Sequence, residues 1–242
     1  MPFAYYGAKH GLAAKYPRPT RPVIIEPFAG SAAYACYWAR RMPVQVVLCD
    51  ADEYIVNLWR RLQTMTHDQV DAAIDTALAS ERTTEPLIAF SGGGSSIAGI
   101  VAGKDRQVTP RMRRDGENYV RRRIHRTLPH IRDWTIIHGT YSDLPDIEAT
   151  WYIDPPYRPY MNDFDGTAGN VYTHSARNID YDQLARWCES RTGQVIVCEQ
   201  SPADWLPFTT LADQNNGSSR PSVRTEVIWH RDDQTPEQMT LL

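Results

Sequence analysis

No apolar run in the chain approaches the ~18 uninterrupted residues that a bilayer span requires, and no basic stretch followed by an apolar one opens it. A leader and a membrane anchor are therefore not expected, and the protein is expected to be soluble and to stay where it is made. Cysteine is scarce and scattered: Cys36, Cys49, Cys188 and Cys198 form no Cys-x-x-Cys pair. That argues against a disulfide framework or a zinc ribbon and predicts buried, reduced thiols. The histidines are dispersed too. His125 and His130 are five apart and fall on different sides of a helix, so no zinc set forms and no metal is implied. Glycine and proline show no period, which excludes a fibrous repeat, and 42% hydrophobic residues exclude a wholly disordered chain. What 242 residues do allow is one good core, or a core domain carrying a small inserted lobe.

Charge is informative once it is located. The net charge is −3, yet Lys104 to Arg132 holds ten basic and three acidic residues, a local +7 that leaves −10 on the remainder. A positive lobe on an acidic body can meet a polyanion locally while the whole stays soluble. Within this segment Val120, Ile124, Leu128 and Ile131 recur at helical spacing, while Arg121, Arg122, Arg123 and Arg126 are read onto the other faces. The alternative is a solvated helix face with no ligand.

Elsewhere short β-branched runs alternate with helical periodicity, the signature of α/β layering around a mostly parallel sheet. Strands are expected at Val23–Ile25, Val44–Cys49, Thr135–Ile137, Trp151–Ile153, Val195–Val197 and Glu226–Trp229. Helices are expected over Ser31–Arg41, Asp52–Leu62, Asp68–Leu78 and Tyr181–Glu189. Phe90–Ser96 reads as a flexible loop, and Asp213–Ser222 as polar and mobile. The economical division is a body of 1–81 and 134–242 with an insertion at 82–133.

Three motifs carry chemistry. Glu26-Pro27-Phe28-Ala29-Gly30-Ser31-Ala32-Ala33 lies between a strand and a helix, where a small-residue turn lets the backbone approach a ligand. It is not the dinucleotide G-x-G-x-x-G, and Gly99–Lys104 lacks the spacing of a phosphate loop. Asp50 ends the next strand, 20 residues beyond Gly30, where a carboxylate can accept both hydroxyls of a ribose; capping a helix is the other role open to Asp50 or Asp52. Asp154-Pro155-Pro156-Tyr157 follows the strand Trp151–Ile153 and is the sharpest signal. Two prolines remove two donors, leaving a carboxylate and carbonyls that suit an amine with two N–H donors, beside an aromatic on which a base can stack.

With these motifs the chain resembles the Dam-like S-adenosylmethionine-dependent DNA adenine-N6 methyltransferases. Tyr5-Tyr6-Gly7-Ala8-Lys9 is similar to their N-terminal motif, with Ala8 replacing a glycine, and Leu48-Cys49-Asp50-Ala51-Asp52 to their acidic second motif. The order of the motifs is the same. The resemblance implies a Rossmann-like methyltransferase domain with a mixed, mostly parallel sheet and a small basic, mainly helical target-recognition insertion. It implies that Tyr5, Lys9, Phe28, Gly30, Ser31, Asp50 and Asp154 contact S-adenosyl-L-methionine, with Lys9 near its carboxylate. It also implies that Asp154, Pro155, Pro156 and Tyr157 form the catalytic DPPY motif, Asp154 holding the target amine and Tyr157 stacking on the extruded base.

Two departures stand out. The glycine turn must tolerate a Cβ at Ala32, and Gly139-Thr140-Tyr141 replaces Gly-Asp-Phe or Gly-Asp-Tyr, so a contact to the cofactor's adenine is lost or handed to Ser142 or Asp143. The expected partner is double-stranded DNA, gripped by Arg111, Arg113, Arg114, Arg121, Arg122, Arg123 and Arg126, with base flipping before the reaction. The loop Met161–Val171 follows the motif and is expected to order over the substrate. No partner membrane is expected, and the chain is read as a monomer or weak dimer. The compact size and small insertion suit a solitary cytoplasmic enzyme of phage type, with a restriction–modification setting also open. Cytosine N4, RNA or a protein amide are the alternative substrates, and a catalytically silent nucleic-acid-binding protein on the same fold is the alternative class.

Overall fold

The computed structural model describes residues 2, 3, 5, 9, 11–91, 106–115, 119–158, 178–215 and 223–233. Positions 6–8 of the N-terminal motif lie outside them, as do 92–96 of the glycine–serine loop, the stretch 99–104, the loop 161–171 and residues 216–222 of the polar segment.

The expected strands form one sheet. In chain order the elements of the first half are β1 (Val23–Glu26), α1 (Ala33–Trp38), β2 (Gln45–Asp50), α2 (Glu53–Thr64) and α3 (His67–Ala79). The basic segment contributes β3 (Arg82–Thr83), β4 (Arg106–Gln107), α4 (Pro110–Asp115) and α5 (Arg121–Ile131). The second half adds β5 (Thr135–His138), β6 (Ala149–Ile153), α6 (Tyr181–Glu189), β7 (Gly193–Gln200), β8 (Thr209–Asn215) and β9 (Val223–Asp232). The sheet runs β5-β2-β1-β6-β7-β9-β8. The strands β5, β2, β1, β6 and β7 pair in parallel, and β9 runs against both its neighbours. Counted along the chain the parallel strands lie in the order 3-2-1-4-5. With an antiparallel strand beyond them, this is a mixed, mostly parallel sheet of Rossmann-like α/β type.

Period-two alternation explains the two-sided core. Ile24, Leu48, Tyr152, Ile196 and Cys198 belong to one buried cluster, and Ile25, Cys49, Trp151, Ile153, Val195 and Val197 to the other. α6 covers the second face with Leu184, Ala185 and Cys188. The first face receives α1, where Tyr34 stacks on Tyr152 at 4.3 Å, and the fully buried Trp59 and Leu62 of α2 and Ile74 of α3. Ile124, Leu128 and Ile131 of α5 join the same cluster, as does Met112 of α4, so the basic segment is seated on the body through apolar contacts. β3 and β4 pair antiparallel beside it.

Local chemistry sets the ends of the helices. Asp52 caps α2 by accepting from the Tyr54 amide at 2.9 Å, and Thr66 and Gln69 form a reciprocal capping box on α3. The helix expected over Ser31–Arg41 is shorter, because 30 and 32 are held in the left-handed region and postpone its start to Ala33. β8 was not expected. Thr209–Asn215 lacks apolar alternation and is strand because β9 offers it an antiparallel edge, so Asp213–Asn215 of the segment read as mobile are strand. At Gly193, φ is +102° and an added Cβ would lie 2.4 Å from the Ala149 carbonyl oxygen of β6. Gly193→Ala is therefore expected to cost about 3 kcal/mol or more, read as a lowered denaturation midpoint at unchanged m-value.

The four cysteines are buried free thiols. Among the described residues no helix is long and apolar enough to cross a membrane.

Candidate active site

In an open α/β sheet the crevice lies outside the carboxyl ends of the strands, where the chain's winding reverses. Here that point is between β1 and β6, which are neighbours, so the turn after β1 and the Asp154 turn after β6 open on one edge. Acidic side chains gather along it: Glu26 ends β1, Asp50 ends β2, Asp154 follows β6, Glu199 lies near the end of β7, and Glu226 lies near the start of the antiparallel β9.

The turn is built from backbone hydrogen bonds. Gly30 has φ +44° and Ala32 φ +45°, so Ala32 carries its Cβ in the left-handed region at a cost of about 1–2 kcal/mol. The Gly30 amide donates to Asp50 Oδ2 at 2.8 Å, and the Trp59 indole N–H to the Gly30 carbonyl at 2.8 Å. A Cβ on Gly30 would come within 2.8 Å of the Tyr5 ring, so glycine here lets Tyr5 lie against the turn. Ser31 is buried, and the half-buried rings of Phe28 and Tyr141 lie 5.7 Å apart. Glu26, 2% exposed, supplies the cap that α1 lacks at its own N-terminus, accepting from the Ala35 amide at 2.6 Å. Burial, reinforced by nearby Asp154 and opposed by the Ala35 hydrogen bond, pushes its carboxyl up to about 8.

Asp50 uses both carboxylate oxygens on the backbone, Oδ2 on Gly30 and Oδ1 on the Asp52 amide at 2.9 Å. The helix-capping role falls to Asp52. After Gly139, the Thr140 amide and hydroxyl donate to Asp143 Oδ2 at 2.7 and 2.9 Å, which turns the Asp143 carboxylate onto its own turn and leaves the exposed Ser142 beside Thr140.

The second half of the site centres on Lys9. Its ammonium lies 3.1 Å from Asp154 Oδ1, 3.9 Å from Glu226 Oε1, and 4.3 Å from the centre of the Tyr157 ring. Burial lowers the lysine, but Asp154 and Glu226 outweigh it and the net direction is up. Burial raises Asp154, with Lys9 and Tyr157 opposing. Tyr157 donates its phenol to Glu226 Oε1 at 2.7 Å, and Tyr181 of α6 donates to the Pro156 carbonyl at 2.6 Å, so that carbonyl is engaged rather than open. Pro155 is buried. The chain leaves the turn with the Arg158 amide donating to Glu199 Oε2 at 3.2 Å, an oxygen that also accepts from the Trp205 indole at 3.0 Å. Burial pushes Glu199 up to about 7, its hydrogen-bond donors opposing.

Sequence reasoning named Lys9, Asp154 and Tyr157 but missed Glu26, Glu199, Glu226 and the tyrosines Tyr16 and Tyr181. One signal was available. Each of the three glutamates is a lone acid beside an apolar strand run, Val23-Ile24-Ile25-Glu26, Val195-Ile196-Val197-Cys198-Glu199 and Glu226-Val227-Ile228-Trp229. A carboxylate in such a place is buried and must be partnered.

The arginines divide. Arg111 and Arg114 are exposed near Asp115, and Arg122 and Arg126 are exposed on α5. Arg113 donates to the Ser80 carbonyl at 3.1 Å. Arg121 is drawn to α3, where it pairs with Asp71 and Asp75. Arg123 requires a correction. Helical spacing puts 120, 123, 124, 127, 128 and 131 on one stripe, so Arg123 is buried and donates to the Pro2 carbonyl at 2.9 Å. Burial pulls its guanidinium down to about 10, with Tyr119 opposing. It tethers the N-terminal segment instead of facing a ligand. Among the described residues no cluster of three or more His, Cys, Asp or Glu is arranged to hold a metal ion.

No protein-family model matches the chain, and no curated protein does. Among solved structures, the chain is similar to that of yhhF, a candidate methyltransferase of Escherichia coli, at 10% identity and a TM-score of 0.37, covering 93% of this chain and 82% of that one.

Proposed function

We propose that the chain is a DNA methyltransferase that moves a methyl group from S-adenosyl-L-methionine to N6 of an adenine flipped out of double-stranded DNA. The observation that carries the reading is the Asp154-Pro155-Pro156-Tyr157 turn at the sheet's switch point, facing the glycine turn, with Lys9 on its carboxylate.

The residues present suit the cofactor. A sulfonium is a cation, and the edge it would meet carries the carboxylates of Asp50 and Asp154. Asp50 ends β2 beside the glycine turn, where a carboxylate can accept from ribose hydroxyls, Phe28 and Tyr141 offer aromatic faces, and Tyr5 with Gly30 and Ser31 walls the turn. When bound, S-adenosyl-L-methionine supplies an electrophilic methyl group. The chain's part is to present the nucleophile. Adenine N6 is a poor nucleophile because its lone pair is delocalised into the ring. The Asp154 carboxylate and the Pro155 carbonyl accept its two N–H bonds, favour a pyramidal nitrogen, and stabilise the positive charge that develops there. Tyr157 supplies the aromatic wall for the base, and in-line alignment provides much of the rate. The cysteines take no part, being buried and held protonated where burial raises them, as at Cys198.

Segment 82–133 serves as the target-recognition element. Its exposed arginines hold the phosphates of a duplex whose base has been extruded at a cost of a few kcal/mol. Arg122→Ala with Arg126→Ala is expected to weaken duplex binding about tenfold at 0.1 M salt and to reduce the slope of log K against log salt by about two. Arg123→Ala is expected instead to lower the melting temperature. Fluorescence anisotropy over a salt series and thermal denaturation check both. Equal loss of DNA affinity in both arginine variants, with no change in melting, would place the interface differently.

A further inference from the structure

Glu226 is 2% exposed and lies 210 residues from Tyr16 in sequence, yet one of its oxygens, Oε1, accepts from two phenols, Tyr16 and Tyr157, each at 2.7 Å. The Lys9 ammonium stands 3.9 Å from that same oxygen and 3.1 Å from Asp154 Oδ1. The buried ammonium thus faces two carboxylates, the half-buried one of the catalytic turn and the buried one of Glu226. Tyr16 is itself fixed by an edge-on contact with Tyr152 of β6, with ring centres 5.2 Å apart. We propose that Glu226 is a positioning residue: with Asp154 it holds the Lys9 ammonium between two carboxylates, and with Tyr16 it fixes the phenol of Tyr157 beneath the catalytic turn.

The chemical consequence rests on the methyl-transfer reading above. An ammonium held by Asp154 alone would compete with a target amine for the same oxygens and blunt the carboxylate's response to charge developing on that amine. A second carboxylate within reach gives the ammonium somewhere else to lean, so Asp154 can accept from substrate without leaving a buried cation uncompensated. The two phenols keep Glu226 from swinging toward the substrate and keep the Tyr157 ring in one orientation. The raised carboxyl of Glu226, a product of burial opposed by Lys9, accords with a group whose charge depends on that lysine.

The chain has only three lysines, Lys9, Lys15 and Lys104, so carbon-13 at the lysine ε position gives three resonances, assignable with Lys15→Arg and Lys104→Arg. In the full-length protein the Lys9 signal is expected to titrate above the ordinary lysine value. Glu226→Gln keeps an acceptor for the phenols but removes the charge, and is expected to lower that midpoint by about one pH unit or more. Asp154→Asn, read the same way, is expected to leave Lys9 charged well above neutral pH, because Glu226 still holds it. An unchanged Lys9 midpoint in Glu226→Gln overturns the proposal. If that variant does not fold, an Asp154→Asn protein whose Lys9 loses its charge near neutral pH overturns it too. In the methyl-transfer assay Glu226→Gln is expected to lower kcat about tenfold with KM for S-adenosyl-L-methionine within twofold. Absence of any transfer by the wild-type protein counts against the proposed function alone, and the Lys9 midpoint then decides the part of Glu226.

Discussion

Asp154→Asn is expected to lower methyl transfer by about 10²–10³-fold, the cost of losing one preorganised electrostatic contact in a water-poor site. The substitution keeps the shape of the side chain but replaces one acceptor oxygen with an NH₂ group. Its two N–H bonds point where Lys9 and the target amine also present donors. The reaction needs acceptors there, because positive charge develops on the attacking nitrogen. The pH dependence follows from the same group. Burial holds the Asp154 carboxyl above its ordinary range although Lys9 pulls it down. The active form is the carboxylate, so wild-type turnover is expected to fall as pH drops through a midpoint above the usual aspartate value. The residual activity of Asp154→Asn is expected to lack that acid limb. Single-turnover rates of both proteins across pH check this. Near-wild-type rates in the variant, with the acid limb intact, would remove Asp154 from the chemistry.

Glu26→Gln is expected to make the protein more stable above pH 8 by on the order of 4 kcal/mol, and to leave it little changed near pH 4. In the folded protein burial raises the Glu26 carboxyl to about 8; in the unfolded chain it titrates near its ordinary 4.5. Between those values the unfolded chain releases a proton that the folded protein keeps. Wild-type stability attributable to this group therefore falls as pH rises from about 4.5 to about 8, and the full penalty persists above. Glutamine retains the acceptor for the Ala35 amide and carries no proton to lose. Denaturant titrations of both proteins at several pH values report the difference directly. A stability difference that does not vary with pH would mean that Glu26 is not held neutral.

How much of this was legible in the sequence depends on the range of the interaction. Alternating apolar residues give β1, β2, β6 and β7 because each pleated strand sorts its own side chains, and the Tyr181–Glu189 helix was read to the residue. Asp154-Pro155-Pro156-Tyr157 announces itself because two prolines fix a local backbone. Glu226 did not, because its meaning lies in a partner 210 residues away that only the register of β9 against β7 brings near. β8 was missed for a similar reason, since its conformation comes from β9 and not from its own composition. Arg123 was misread by an avoidable step: a residue three positions after Val120 and four before Thr127 shares their buried stripe, whatever its charge. The contact of the Lys9 ammonium with Asp154 is one that no spacing in the sequence encodes.

The most direct test of the account is mass spectrometry of the nucleosides released from unmethylated duplex DNA after incubation with the protein and S-adenosyl-L-methionine, beside Asp154→Ala. The account predicts N6-methyladenine that vanishes in the variant. N4-methylcytosine would keep the mechanism and overturn the base, and no methylated nucleoside from a protein that still binds the cofactor would contradict DNA methylation itself.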